Sequence, residues 1–166
     1  TALKKVERGT VLLYNTNEND IGFEEYWANI QTFNHIKKPK NCNIHFIDKM
    51  IPDIINDTFD RCLNEHIIFL DSDTLVHPDA MIEFQKIMRI KDLGIGTLFN
   101  TESHKFSEMV DDIYGIKPVM GGFGWVINRT AWMKYCKNIN WDWDVQATTN
   151  INNSKEFKNY CTVKSY

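Results

Sequence analysis

Apolar residues along this chain recur with two periods, and the alternation between them predicts an α/β protein. Thr10-Val11-Leu12-Leu13-Tyr14-Asn15 is rich in β-branched and aliphatic residues and runs into the polar stretch 15–20, which predicts a first strand ending in a polar loop. Phe23, Tyr26, Trp27, Ile30 and Phe33 then recur at three and four, an amphipathic helix whose stripe packs into the core. Lys37-Lys38-Pro39-Lys40-Asn41 breaks that helix, and 43–48 alternates as a second strand with Asp48 at its end. A second helix is expected over 51–63, with Pro52 near its start. His66-Ile67-Ile68-Phe69-Leu70 carries a single polar side chain and reads as a buried central strand; it stops on Asp71-Ser72-Asp73, before Pro78 opens a helix that runs to Ile90. Residues 93–99 predict a further strand, whose Gly94 and Gly96 admit close packing. The stretch 100–119 is the least patterned, with a short helix expected over 105–113. Gly121-Gly122-Phe123-Gly124 is a glycine-rich turn into a strand at 125–128, followed by a helix at 130–137 and a late helix headed by Asp142 or Asp144.

With 166 residues, 43% of them apolar and including five Trp, the chain is long enough for one domain with a substantial core. The formal charge of -3, with Lys and Arg scattered, supplies no basic stripe, so sequence-independent nucleic-acid binding is not expected. No apolar run approaches a membrane span. Cys42, Cys62, Cys136 and Cys161 are widely spaced, without Cys-X-X-Cys or a His at zinc-finger distance, and read as free thiols. Asn56, Asn128 and Asn152 open N-glycosylation acceptor patterns, which matter only in a secretory compartment. The first residues, Thr1-Ala2-Leu3-Lys4-Lys5, show neither a signal peptide nor an initiator Met, so the chain reads as a fragment of something longer. The cytoplasm is the favoured compartment, a Golgi-lumenal fragment of a larger protein the other one.

The chemistry concentrates where the central strand ends. Ligands of open α/β sheets bind in the crevice outside the carboxyl ends of the strands, which places Asp71 and Asp73 at a cleft. Two hard carboxylates one residue apart suit Mg²⁺ or Mn²⁺ held against a diphosphate. An Asp-X-Asp string also suits a solvated turn before a helix; the apolar run in front of it favours the ligand. The glycine turn is not a phosphate-cradling loop, because no Gly-Lys-Ser/Thr follows and the glycines precede a strand. In Asn140-Trp141-Asp142-Trp143-Asp144 a carboxylate stands between two indoles, where low polarity would raise its pKa and make it a better base. The alternative is a helix N-terminus with Asp142 or Asp144 as cap. Asp111-Asp112 reads as an exposed helix face.

The order of these elements resembles the nucleotide-sugar glycosyltransferases of the GT-A fold. Within that group, Gly122-Phe123-Gly124-Trp125 resembles the Gly-Leu-Gly-Trp turn of the inverting N-acetylglucosaminyltransferase I, and Asn140-Trp141-Asp142-Trp143 resembles the Asn-Trp-Asp-Trp of N-acetylglucosaminyltransferase II. The similarity spans roughly 65–146. It departs from both enzymes at the metal motif, Glu-Glu-Asp or Glu-Asp-Asp there and Asp71-Ser72-Asp73 here, and in a shorter N-terminal half. The resemblance implies a three-layer α/β/α sandwich with a mixed, mainly parallel sheet, and a Mn²⁺- or Mg²⁺-dependent, inverting transfer of a sugar from a UDP-sugar to a glycan or glycoprotein acceptor. Carried over residue by residue, it makes Asp73 the metal ligand, with Asp71 and Ser72 near ribose, diphosphate and metal. It sets Asp48 on uracil, Tyr14 and Asn15 in the uridine pocket, and Gly122 and Phe123 at the donor sugar. Asp142 becomes the catalytic base, with Asp144 in reserve, and Trp143 and Asp144 meet the acceptor. A His that completes the metal shell of the resembling enzymes has no counterpart among the 22 residues after Asp144, so the chain is expected to stop short of a complete site.

Two readings from other classes compete. The string 69–76 also resembles the first motif of haloacid-dehalogenase-type phosphatases, although Thr74 follows Asp73 directly, where those enzymes place Thr one position later. A domain that binds a nucleotide sugar or carbohydrate without turnover is the other.

Overall fold

A computed structural model describes residues 9–15, 42–48, 53–70, 76–100, 105–121, 124–139 and 142–164, with Trp27, Ala28, Gln31 and Asn34, and for 9–15 and 42–48 the backbone alone. The chain divides into two compact units, Thr1–Thr58 and Phe59–Tyr166.

In the first unit β1 (Gly9–Asn15) and β2 (Cys42–Asp48) pair in parallel, Gly9 opposite Cys42 through Asn15 opposite Asp48. A parallel pair needs a crossover of a dozen or more residues, and the interval 16–41 supplies it. Trp27, Ala28, Gln31 and Asn34 within it are helical and exposed. The expected apolar stripe therefore does not bury Trp27: spaced by four and then three, Trp27, Gln31 and Asn34 share the solvent side of their helix, and Trp27 is 45% exposed. The rest of that stripe, Phe23, Tyr26, Ile30 and Phe33, lies outside the described residues.

Helix α1 (Asp53–Arg61) crosses the division between the units and buries Ile54, Ile55 and Phe59. It ends before Leu63, which the periodicity included and which is fully exposed. Arg129 stops it. Its guanidinium donates to the carbonyls of Phe59 (2.9 Å), Cys62 and Asn64 (2.9 Å), and lies 4.9 Å over the Phe59 ring. The last carbonyls of a helix have no partner within it, and a cation there meets the negative end of its dipole.

The second unit is built on a six-stranded mixed sheet in the order β3-β7-β4-β8-β6-β5. Its strands are β3 (His66–Phe69), β4 (Leu93–Thr97), β5 (Glu108–Met109), β6 (Tyr114–Ile116), β7 (Trp125–Asn128) and β8 (Lys158–Thr162). Only β4 and β8 pair in parallel, so the sheet is largely antiparallel and not the mainly parallel one expected. Two local events cause this. The glycine turn feeds β7 in between β3 and β4 against their direction. At the far edge, 105–113 forms no helix: Asp111 Oδ1 accepts from the backbone N–H groups of Ile113 and Tyr114, both at 2.7 Å, and closes a hairpin of β5 and β6. Gly115 leaves room there for the ring of Phe106. Asp111 and Asp112 are exposed, on a turn rather than a helix face.

Helix α2 (Ala80–Ile87) buries Ala80, Phe84 and Ile87 in a core with Leu93, Leu98, Ile116, Val126 and Tyr160. On β7 the neighbours of Val126 point the other way. That face meets α4 (Trp143–Ser154), which follows α3 (Arg129–Tyr135). The two glycines of β4 serve opposite helices: the vacant Cβ position of Gly94 abuts Ile151 of α4, that of Gly96 abuts Ile87 of α2. A bulge between Leu93 and Ile95 makes this switch of face within two residues.

Asn128 caps α3 by accepting from Ala131 N–H at 3.0 Å, which leaves its amide nitrogen 3.3 Å from Nε2 of His66. That nitrogen must donate, so Nε2 accepts and His66 is neutral with its proton on Nδ1. Burial lowers the His66 pKa from its ordinary 6.5, against a smaller opposing effect of Glu65. The unfolded chain therefore takes up this proton first as the pH falls. The stability His66 adds is complete above its unfolded value and is lost as the pH drops through the folded one. The difference in unfolding midpoint between the wild type and His66→Gln should accordingly shrink as the pH falls below the ordinary value of 6.5. A constant difference would remove His66 from the pH response.

Cys62, Cys136 and Cys161 are unpaired thiols. Burial pushes Cys136 up to about 12 and Cys161 to about 11, the latter against the opposing charge of Lys117, so neither is a nucleophile. Among the described residues no helix is long and apolar enough to cross a membrane.

Candidate functional site

Strand direction decides which loops meet. β3 and β4 both run against β7, and β8 runs with β4, so the carboxyl ends of β3, β4 and β8 share one edge of the sheet with the amino end of β7. Leu70, Phe99, Val163 and Gly124 follow or precede the strands at that edge.

Three aromatic rings join the elements there. Trp125 is fully buried, and its indole N–H donates to the carbonyl of Gly121 at 2.7 Å, tying that residue to the start of β7. Gly124 has a φ of +57°, a left-handed conformation that favours glycine. Trp143, the first residue of α4, meets Phe69 edge-on with ring centres 5.7 Å apart and Trp125 at 4.9 Å. Rings in this arrangement pair a positive edge with a negative face, and the contacts hold the head of α4 against the end of β3. Trp143, which the resemblance sets at the acceptor, is half-buried and wedged between these two rings.

Asp142 precedes this wedge at φ 55° and ψ 40°. A side chain that caps a helix normally belongs to a residue with extended backbone; Asp142 is left-handed, and its carboxylate makes no capping hydrogen bond. Its carbonyl receives Gln146 N–H at 3.0 Å and so starts the helix. The residue is exposed, and Asn140 and Trp141 before it lie outside the described residues. Asp144, one residue into the helix, is half-buried, and its Oδ1 accepts from Val145 N–H at 2.8 Å. Of the two acids, Asp142 is the one presented to solvent at the sheet edge. A non-glycine residue in this conformation costs of order 1 kcal/mol or more and tends to occur at functional positions.

Asp71, Ser72, Asp73, Gly122 and Phe123 lie outside the described residues. Tyr14, Asn15 and Asp48 close the parallel strands β1 and β2, and the register sets Asn15 directly beside Asp48 at the same end of the pair. Among the described residues no group of three or more His, Cys, Asp or Glu could hold a metal.

Sequence reasoning missed a polar clamp at the same edge. Lys117 is 1% exposed, donates to Asn100 Oδ1 at 2.6 Å and lies 4.9 Å over the Phe106 ring. Asn100 Nδ2 donates in turn to the Val163 carbonyl at 2.7 Å, and Phe99 N–H donates to Thr97 Oγ1 at 3.1 Å. Nothing in the spacing of positions 97, 100, 117 and 163 links them; β8, lying between β4 and β6, does.

Set against known proteins, the chain matches no family model and no curated protein. The class that fold and site define is an α/β protein with a mixed, largely antiparallel sheet, in which a late helix preceded by the exposed Asp142 meets the end of β3; that strand stands first in the sheet order and is half-buried except at Ile67, not the buried central strand expected.

Proposed function

We propose that the chain is the catalytic part of a metal-dependent glycosyltransferase of the GT-A type, which moves a sugar from a UDP-sugar to a glycan acceptor with inversion. The observation that carries this reading is the meeting of Phe69, Trp125 and Trp143. These rings bring together three segments far apart in the chain: the strand that runs into Asp71-Ser72-Asp73, the strand that leaves the glycine turn, and the helix headed by Asp142. They are the three places that the resemblance assigns to diphosphate, donor sugar and base. Helices against both Val126 and Trp125 of β7 also suit the three-layer sandwich of that fold.

In this reading Asp73 and Asp71 would hold Mn²⁺ or Mg²⁺, which when bound would supply positive charge to offset that of the departing diphosphate. Ser72 lies beside the ribose and diphosphate. Asp48 accepts from the N3–H of uracil, and Asn15, its neighbour in register, lines the same uridine pocket with Tyr14. Gly122 and Phe123 let the backbone approach the donor sugar. An acceptor hydroxyl attacks the anomeric carbon from the side opposite the diphosphate while Asp142 takes its proton. The base therefore cannot be a metal ligand, and Asp142 stands on a different element from the metal motif.

A thermal-shift comparison of UDP-, GDP- and dTDP-sugars, each with and without Mn²⁺, tests the reading. A ligand at about 100 times its dissociation constant stabilises by about 2.7 kcal/mol, and only UDP-sugars with Mn²⁺ are expected to do so. Equal stabilisation by GDP-sugars, or none by any donor, would remove it.

A further inference from the structure

We propose that His66 and Asn128 form a pH-sensitive latch on α3: protonation of the His66 ring and the Asn128 cap on that helix exclude each other. The latch stands apart from the transferase reading and does not depend on it.

It follows from one side chain serving two partners. Asn128 ends β7 and its amide faces two ways: Oδ1 accepts from Ala131 N–H at 3.0 Å, in the first turn of α3, while Nδ2 lies 3.3 Å from Nε2 of His66 on the neighbouring strand. An amide carries its acceptor on one arm and its donors on the other, so both contacts are satisfied only while Nε2 keeps its lone pair. A protonated ring sets N–H against N–H. Turning the amide over offers Oδ1 to the ring, but it then sets Nδ2 against Ala131 N–H. Either way one of the two bonds is lost.

The backbone closes off an escape from this choice. His66 and Asn128 stand directly opposite in the β3–β7 ladder, and Arg129 N–H donates to the Glu65 carbonyl at 2.8 Å, so neither residue can draw away from the other. Asn128 is buried, where a lost hydrogen bond costs more than at the surface. The ionisable groups beside the pair are few among the described residues. Glu65 favours the charged ring, and burial of the ring opposes it more strongly. Arg129 has its guanidinium turned to the carbonyls of Phe59, Cys62 and Asn64 at the end of α1, with the Cys62 thiol 3.7 Å away. The far end of α3 is tied to α4, whose Asn150 Nδ2 donates to the Tyr135 carbonyl at 3.0 Å. The latch therefore bears on the two helices between which Asp142 lies.

The test follows the full chain by NMR from neutral pH downward, with the His66 ring and the Ala131 amide observed together. Both are expected to titrate with one midpoint below 6.5. Across it, exchange of Ala131 N–H, relative to its rate in an unfolded peptide, should rise about fivefold, the scale of one lost helix cap. In His66→Gln the Ala131 amide should not respond over the same range. Asn128→Asp supplies a carboxylate that can accept from both neighbours, so it should raise the His66 midpoint and keep Ala131 protected throughout. Titration of His66 with the Ala131 amide unmoved, the same Ala131 response in His66→Gln, an unchanged His66 midpoint in Asn128→Asp, or opening of Ala131 only with global unfolding overturns the proposal.

Discussion

Asp142→Asn is expected to lower turnover by about 10² to 10⁴ while leaving UDP-sugar and Mn²⁺ affinity nearly unchanged, the signature of a lost general base. The substitution is well chosen for this position. Asn and Asp both tolerate the left-handed conformation that Asp142 adopts at φ 55°, so the turn into α4 should survive. The carboxylate caps nothing in the folded chain, and its removal leaves no orphaned N–H. The Gln146 N–H bond goes to the backbone carbonyl and is untouched. A fall in turnover therefore cannot be charged to unfolding, which an unchanged thermal midpoint would verify. Asp144→Asn is the control, because Asp144 is half-buried and already bonded to Val145 N–H. It should cost far less turnover. If Asp142→Asn keeps full turnover the base lies elsewhere, and if it loses donor binding instead, Asp142 is a binding residue.

Asp73→Asn should abolish Mn²⁺-dependent binding of UDP-sugar. A diphosphate approaching Asp71 and Asp73 without a cation would put like charges together, so donor affinity at this strand end depends on the metal and the metal on its carboxylates. The amide keeps the size of the side chain and removes the charge, and it is a poorer ligand for a hard cation. Isothermal titration with and without Mn²⁺ reads the effect directly: the metal-dependent part of the affinity should vanish. Undiminished metal-dependent affinity in Asp73→Asn would sink the metal assignment and, with it, the role of the Asp71-Ser72-Asp73 motif.

Much of the local structure was legible along the chain because side-chain period is a local property. The alternating run at 43–48 and the apolar run at 66–70 became β2 and β3 within a residue or two, and the glycine turn before 125–128 became the entry to β7. Asn128, directly before α3, is the kind of residue that accepts from the first turn of a helix, and it does. Where the reading went astray, the competing signal was local too. Phe106, Met109, Val110 and Ile113 fall at three, four and seven, which is helical spacing. Met109, Val110 and Ile113 nevertheless stay about half exposed, because the free edge of β8 needed backbone partners. Tyr114 to Ile116 pair with it, and Val163 N–H reaches the Ile113 carbonyl at 2.8 Å. An unpaired buried N–H costs more than a helix of this length gains, so the hairpin wins over the helix.

The candidate site divides in the same way. The sequence by itself determined which side chains could do chemistry: two acids at the end of an apolar strand, glycines before another, and an acid among tryptophans. It also determined the helices and strands that carry them, since period and breakers act between near neighbours. Only the tertiary structure decided strand direction, and so which loops share an edge, because a strand's neighbours are set by hydrogen bonds to residues far away in the chain. It also decided the state of Asp142. Trp143 is drawn in by Phe69 and Trp125, more than seventy and nearly twenty positions upstream, and that long-range contact leaves the preceding carboxylate exposed rather than capping its own helix.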